Sequence, residues 1–203
     1  MDKPEPVAVT ATSGELKVEG AVPTPWLTFS WAPHCYEFAR AEARDGASRP
    51  LDWHPRAREI IFACCCAEAF LFEWVRDEVL QRRFDAVDQY FPPRTPGRRQ
   101  PGLREKWKKI PKQLLADGRI AGVPEMYDLL GSDWSTLIDY RDGLIHARSS
   151  RPESPNQRTE LNPSPTVTGL TGKDPAWAVN TVTGVIRRLC AAAKTPTPPW
   201  LGP

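Results

Sequence analysis

The chain has 203 residues, of which 40% are hydrophobic and 26% charged, and its formal net charge is +2. This length and composition fit one folded domain with tails, and the small net charge excludes a protein that is basic throughout. The first residues lack a basic start and an apolar run, so we expect no signal peptide. The longest apolar stretch, IIFACCCAEAFLF, carries Glu68 and is too short to span a bilayer. We therefore expect a cytoplasmic protein without membrane association.

Proline and cysteine indicate how the chain is organised. The 22 prolines cluster at 4–33, 92–111, 152–175 and 196–203, which is typical of loops and tails. We predict a flexible leader over 1–22, a helical bundle over 23–194 and a Pro-rich tail over 195–203. The five cysteines contain no Cys-x-x-Cys and there are three histidines. We therefore expect reduced core cysteines, no metal site and no cofactor.

Hydrophobic spacing predicts five helices and no strand. The first starts near Pro33 and ends near Gly46, and the longest covers about 54–91. That second helix is apolar nearly all round from Ile60 to Val75, so we expect it at the centre of the fold.

The third predicted helix covers 103–118, where Pro111 should kink or restart it. A fourth follows over 132–150, with Ser132 or Asp133 as its cap. A Ser/Pro/Thr-rich loop then leads to a last helix over 175–194. The predicted fold is all-α, an up-and-down bundle of four to five helices with long Pro-rich loops and tails.

Basic residues concentrate in one segment. Eight lysines and arginines lie between Arg94 and Lys112, against a single acid, Glu105. Such a run is a solvated loop and helix face in one interpretation. In the other interpretation, the basic segment forms a patch that attracts phosphate groups.

The fourth helix, with the sequence SDWSTLIDYRDGLIHARSS, has an unusual apolar face. At 100° per residue, Arg141 lies near the centre of the face that carries Leu137, Ile138 and Leu144. A buried guanidinium without a partner costs several kcal/mol. Glu68, the lone acid in the apolar stretch of the second helix, could pair with Arg141. Alternatively, Arg141 lines a cleft and binds phosphate through its planar fork.

Asp142 and His146 lie on the flank of the same helix, one turn apart. Histidine can take or give a proton near neutral pH. Asp142 could orient its ring.

The segment YRDGLIHA resembles the signature of the HEPN superfamily, in which Arg and a polar residue precede His by a short gap. Arg141, Asp142 and His146 fit it. AREIIFACCCAEAFLFEWV is similar to the second HEPN helix, and LREKWKKIPKQLL is similar to a Lys-rich segment of some bacterial members. The resemblance covers about residues 55–150, and the leader and tail lie outside it.

The resemblance implies a HEPN-type bundle that forms a homodimer and acts as a metal-independent endoribonuclease in defence or toxin–antitoxin systems. Arg141 and His146 would be catalytic and Asp142 supporting. The partners would be RNA and an antitoxin or other partner protein. The candidate RNA contacts are Arg98, Arg99, Arg104, Lys108, Lys109 and Arg148. Two alternatives remain open: a non-catalytic HEPN-like module that binds a protein or nucleotide, and an unrelated helical domain that shares the motif by chance.

Overall fold

A computed structural model of the chain describes residues 8–12, 15–19, 30–93, 96–97, 100–145, 169–170 and 172–202, with the first two ranges and residues 126–130 described by their backbone alone. Strands β1 (Ala8–Thr12) and β2 (Glu15–Glu19) form an antiparallel hairpin in which Ala8 pairs with Glu19. The predictions of a flexible leader and of no strand are therefore wrong for these ten residues. The sequence feature that indicates a strand here is the alternation of polar and apolar residues in ELKVE, which covers only five residues.

The first two helices begin where the sequence predicts. Helix α1 (Ala32–Ser48) has Pro33 in its first turn. Helix α2 (Trp53–Trp74) is capped by Asp52, whose carboxylate accepts the His54 N–H at 3.0 Å. Both starts follow from local sequence, because proline lacks one of the N–H groups that a first turn leaves unpaired and a capping aspartate accepts another.

The long helix predicted over 54–91 is wrong at its C-terminal end. After Trp74 the chain widens into a π-helical turn over Val75–Val79, where the Leu80 N–H donates to the Val75 carbonyl at 2.9 Å. Gln81 and Arg82 then have φ values of 50° and 63°. A helix cannot continue through left-handed residues, so a separate short helix, α3 (Phe84–Val87), follows.

The remaining helices are α4 (Leu103–Ala116), α5 (Met126–Ile145) and α6 (Trp177–Ala193). They lie where the sequence predicts them, except that α5 begins earlier than predicted, and its predicted residues 146–150 lie outside the described residues. Helix α4 does not restart at Pro111, because burial of Trp107, Ile110 and Leu114 around it offsets the lost backbone hydrogen bond. Helix α5 is broken at Gly131 (φ 59°, ψ 179°), so its long segment starts at Ser132, as predicted.

The helices form a bundle around α2. Helix α1 packs along α2, which also contacts α4, α5 and α6, and α5 contacts α6. Phe70, Trp107 and Trp134 form an aromatic cluster between α2, α4 and α5, with ring centroids 5.2–6.2 Å apart in successive pairs. The predicted predominantly helical fold is confirmed, and the described residues form six α-helices where four to five were predicted. None of the described helices is long and apolar enough to cross a bilayer.

The C-terminal residues predicted as a separate tail pack on the bundle. The Trp200 ring lies 5.2 Å from that of Tyr36, and Leu201 is buried. Arg187 on α6 donates to the Gly202 carbonyl at 3.0 Å. The described end of the chain therefore belongs to the core, which proline content alone does not reveal.

Helix α2 is not buried around its whole circumference. Cys65 and Phe72 are exposed and Phe62 is half-buried, so one strip along its middle faces outward. Helix α2 is central, as predicted, but among the described residues α1 and α4 flank this strip without covering it.

Candidate nucleic-acid interface

A groove of about 430 Å³ runs between the start of α4 and the end of α5. Four cations line it, Arg104, Lys108, Lys109 and Arg141, against two carboxylates, those of Glu105 and Asp142. Two helices that are separate in sequence therefore bring positive charge to one concave surface.

Apolar packing fixes the two walls of the groove. Leu103, Trp107 and Ile110 of α4 are buried, so the basic residues between them point away from the core. Trp107 packs on Trp134 of α5, and Ile138 at the floor of the groove is 3% exposed. The 3.6-residue period of the helix thus places the apolar residues of α4 on a buried face and its basic residues on an exposed face.

Arg141, which the helical spacing places near the centre of the α5 apolar face, has a side chain that is 26% exposed. Its Nη1 donates to Asp142 Oδ1 at 3.0 Å. The predicted partner Glu68 instead accepts a hydrogen bond from Lys106 Nζ of α4. The sequence could not distinguish these pairings, because α4 reaches Glu68 only in the folded bundle. Arg141 therefore lines a wet groove and is not part of a buried ion pair with Glu68.

Arg104 links the two walls. Its Nη2 donates to Asp139 Oδ1 at 2.8 Å and to the Ser135 carbonyl at 3.1 Å, both on α5. Lys109 pairs with Glu105 one turn earlier on α4 at 2.6 Å. These pairs are largely exposed, so they hold the side chains loosely and can exchange carboxylate for phosphate oxygens.

Two thiols lie close to the Arg141 guanidinium. Burial raises the pKa of Cys64 to about 12, although the Arg141 charge acts in the opposite direction. The pKa of Cys65 is also raised, by burial first and by Glu68 second, and Arg141 again opposes the shift. Both cysteines are thiols at neutral pH, so neither is a nucleophile for this groove.

The structure brings together part of the predicted site. Arg104, Lys108, Lys109, Arg141 and Asp142 share the groove. The other predicted residues, His146, Arg98, Arg99 and Arg148, lie outside the described residues.

Two buried polar groups were missed by sequence reasoning. Glu59 is 2% exposed and accepts the backbone N–H groups of Ala178 and Val179, at 3.0 and 3.3 Å, at the start of α6. Burial raises its pKa, while these N–H groups and the charge of Arg56 act in the opposite direction. Arg56 is itself buried. The available signal was an acid and a base three residues apart in an apolar helix.

Comparison of the chain with protein-family models, with curated proteins and with solved structures finds no match.

Proposed function

We propose that this protein is a metal-independent endoribonuclease of the HEPN type. The observation that carries the proposal is the convergence of Arg104, Lys108 and Lys109 on Arg141 in one open groove. In the sequence, Arg104, Lys108 and Lys109 belong to the basic segment, whereas Arg141 belongs to the Arg-polar-His motif. Guanidinium and ammonium groups in a concave surface bind consecutive phosphates of a nucleic-acid strand.

The chemistry fits RNA, because RNA supplies its own nucleophile. The 2′-oxygen attacks the adjacent phosphorus and loses its proton, and the bond to the 5′-oxygen breaks as that oxygen gains a proton. The products are a 2′,3′-cyclic phosphate and a 5′-hydroxyl. Arg141 would neutralise the charge that builds on the phosphoryl oxygens. His146, which follows the last described residue of α5, would carry the proton.

We expect a homodimer in which the Arg141 and His146 residues of two protomers face one cleft. Two histidines would let one accept the 2′-proton while the other protonates the leaving oxygen. The biological setting that the motif suggests is defence or a toxin–antitoxin pair, with an antitoxin as the protein partner.

The test is incubation of the purified protein with total RNA in EDTA, followed by analysis of the fragment ends. We expect fragments with 5′-hydroxyl ends, which polynucleotide kinase labels without prior phosphatase treatment. Arg141→Ala and His146→Ala should lose this activity. Arg40→Ala is the matched control, because Arg40 also pairs with a carboxylate of its own helix, Glu37, but lies on α1 outside the groove.

A non-catalytic RNA-binding module is the second candidate. It is favoured by the partly exposed Arg141–Asp142 pair, in which a phosphate oxygen could replace the carboxylate without any reaction. Salt-dependent RNA binding that Arg141→Ala weakens, with no cleavage in any variant, would select this alternative. Cleavage that persists unchanged in both Arg141→Ala and His146→Ala would reject the catalytic site.

A further inference from the structure

A second cavity of about 440 Å³ lies beside the groove, between α1, α2 and the segment after α3. Its walls are mainly apolar and include Trp31, Cys65, Phe72 and Phe91. Three of the ten lining residues are aromatic and four are charged, and a volume of this size lies within the range of pockets for small organic groups.

The aromatic walls face water in the described structure. Trp31 is 58% and Phe72 is 38% exposed. The Phe72 and Phe91 rings meet edge to face at 5.1 Å. The Arg76 guanidinium lies over the Phe72 ring, 5.6 Å from its centroid, and the ring keeps an exposed part that can contact a ligand.

The cavity has a fixed wall and a polar mouth. Glu73 of α2 accepts the Trp31 N–H at 2.6 Å and the Ser30 hydroxyl at 2.6 Å, which fastens the start of α1 to α2. Lys106 and Glu68 also line the cavity and bind each other. An ammonium and a carboxylate side by side present both a donor and an acceptor to the edge of a ligand.

The cavity adjoins the cationic groove. Lys106 of α4 lines the cavity, while Lys108 and Lys109 of the same helix line the groove. Lys106 and Lys109 are about 4.5 Å apart along the helix axis. Cys65 lies in the cavity wall and is close enough to Arg141 for the guanidinium to act on it electrostatically. The cavity and the groove therefore both lie against α4, and no described residue lines both of them.

We propose that this cavity is a subsite for an unpaired nucleobase of the RNA strand whose phosphates lie in the groove. This inference rests on the proposed RNA-binding function. The faces of a base stack on aromatic side chains. Its edge carries the N–H and carbonyl groups that Glu68 and Lys106 complement. A base in a duplex cannot enter, so the subsite confers a preference for single-stranded RNA.

The test is fluorescence anisotropy with a short labelled single-stranded RNA, its duplex form, and a copy with one abasic site at each position in turn. Phe72→Ala should weaken single-strand binding about 5- to 100-fold and leave duplex binding unchanged. Phe72→Leu keeps apolar volume without a ring face and should also weaken it. Phe38→Ala is the matched control, because Phe38 is exposed on α1 and packs on Phe62, outside the cavity.

The abasic strands provide the decisive comparison. One abasic position should weaken binding to the unmodified protein and have no further effect on Phe72→Ala, because both changes remove the same contact. Unchanged single-strand affinity in Phe72→Ala, together with a loss in Arg141→Ala, would reject the base subsite and leave the proposed RNA binding intact. No RNA binding by the unmodified protein would reject both. Conversion of a dimer to a monomer by Phe72→Ala would show that a second copy covers this face, which also rejects the subsite.

Discussion

Arg141 combines partial exposure with a partner on its own helix, and this determines what its removal costs. Asp142 is half-exposed, so Arg141→Ala leaves no buried charge unpaired. We expect the free energy of unfolding of Arg141→Ala to be lower by no more than about 1 kcal/mol. RNA cleavage should be lost because the phosphate loses its bidentate donor.

His146→Ala should likewise abolish cleavage and change the free energy of unfolding by no more than about 0.5 kcal/mol. Urea unfolding and the EDTA cleavage assay measure the two properties separately.

Arg141→Lys tests whether charge alone is sufficient. An ammonium keeps the charge but cannot bind two phosphate oxygens in one plane. We expect RNA binding to be largely retained and cleavage to be much reduced. A large loss of stability in Arg141→Ala would contradict the open groove and restore a structural role for this residue.

Glu59, unlike Arg141, is buried, and its carboxylate accepts hydrogen bonds from the backbone of α6. Glu59→Ala would leave the N–H groups of Ala178 and Val179 without their acceptor and the nearby charge of Arg56 uncompensated. We expect a loss of roughly 3–5 kcal/mol in the free energy of unfolding. Glu59→Gln keeps a side-chain oxygen as acceptor and should lose less. Denaturant titration of both variants provides the comparison, and equal losses would show that the charge matters more than the hydrogen bonds.

The raised pKa of Glu59 also affects how stability depends on pH. The folded protein holds this proton more tightly than the unfolded chain, whose carboxyl titrates near its ordinary value of 4.5. The contribution of Glu59 to stability is therefore complete below pH 4.5 and decreases as pH rises through the folded pKa. Glu59→Gln should remove this decrease, which appears as the difference between the two unfolding profiles over that range.

At the scale of helices, α5 depends on one glycine. Gly131 has φ 59° and ψ 179°, a conformation available almost only to glycine. A Cβ added there would meet no atom within 4 Å, so the cost of Gly131→Ala is conformational alone. We expect it to lower the free energy of unfolding by about 1–3 kcal/mol.

The matched control is Gly184→Ala on α6. An added Cβ there meets only the flexible end of Arg188, at 3.2 Å, and alanine favours a helix interior over glycine by about 1 kcal/mol. Thermal unfolding should therefore shift in opposite directions for the same chemical change. A neutral Gly131→Ala would mean that α5 can run straight through this position.

For the molecule as a whole, the apolar residues of α5 that precede Arg141 are not available to the expected homodimer interface. Trp134, Leu137 and Ile138, the apolar stripe before Arg141, are buried within the chain itself. The dimer prediction now depends on the need for two histidines at one cleft. Multi-angle light scattering at micromolar concentration should give twice the chain mass, with RNA cleavage falling as dilution separates the protomers. A monomer that cleaves RNA at full rate would contradict the shared cleft.

Local sequence features determined the helices and part of the site. Proline at the first turns of α1 and α2 and the apolar period of 103–118 act within a few residues, so the starts of α1, α2 and α4 were predictable. The same period placed Lys108 and Lys109 on the outer face of α4. A motif of six residues identified Arg141 as unusual before any fold was known.

Only the tertiary structure decided which side chains meet. Glu68 binds Lys106 and not Arg141, and Arg104 reaches Asp139, because these pairs depend on how α4 lies against α2 and α5. The exposed strip of α2 could not be predicted from sequence either, because an apolar helix does not show which of its sides the neighbouring helices cover. Short-range geometry is encoded locally, whereas pairing and burial arise from distant segments whose relative positions are fixed only when the whole core packs.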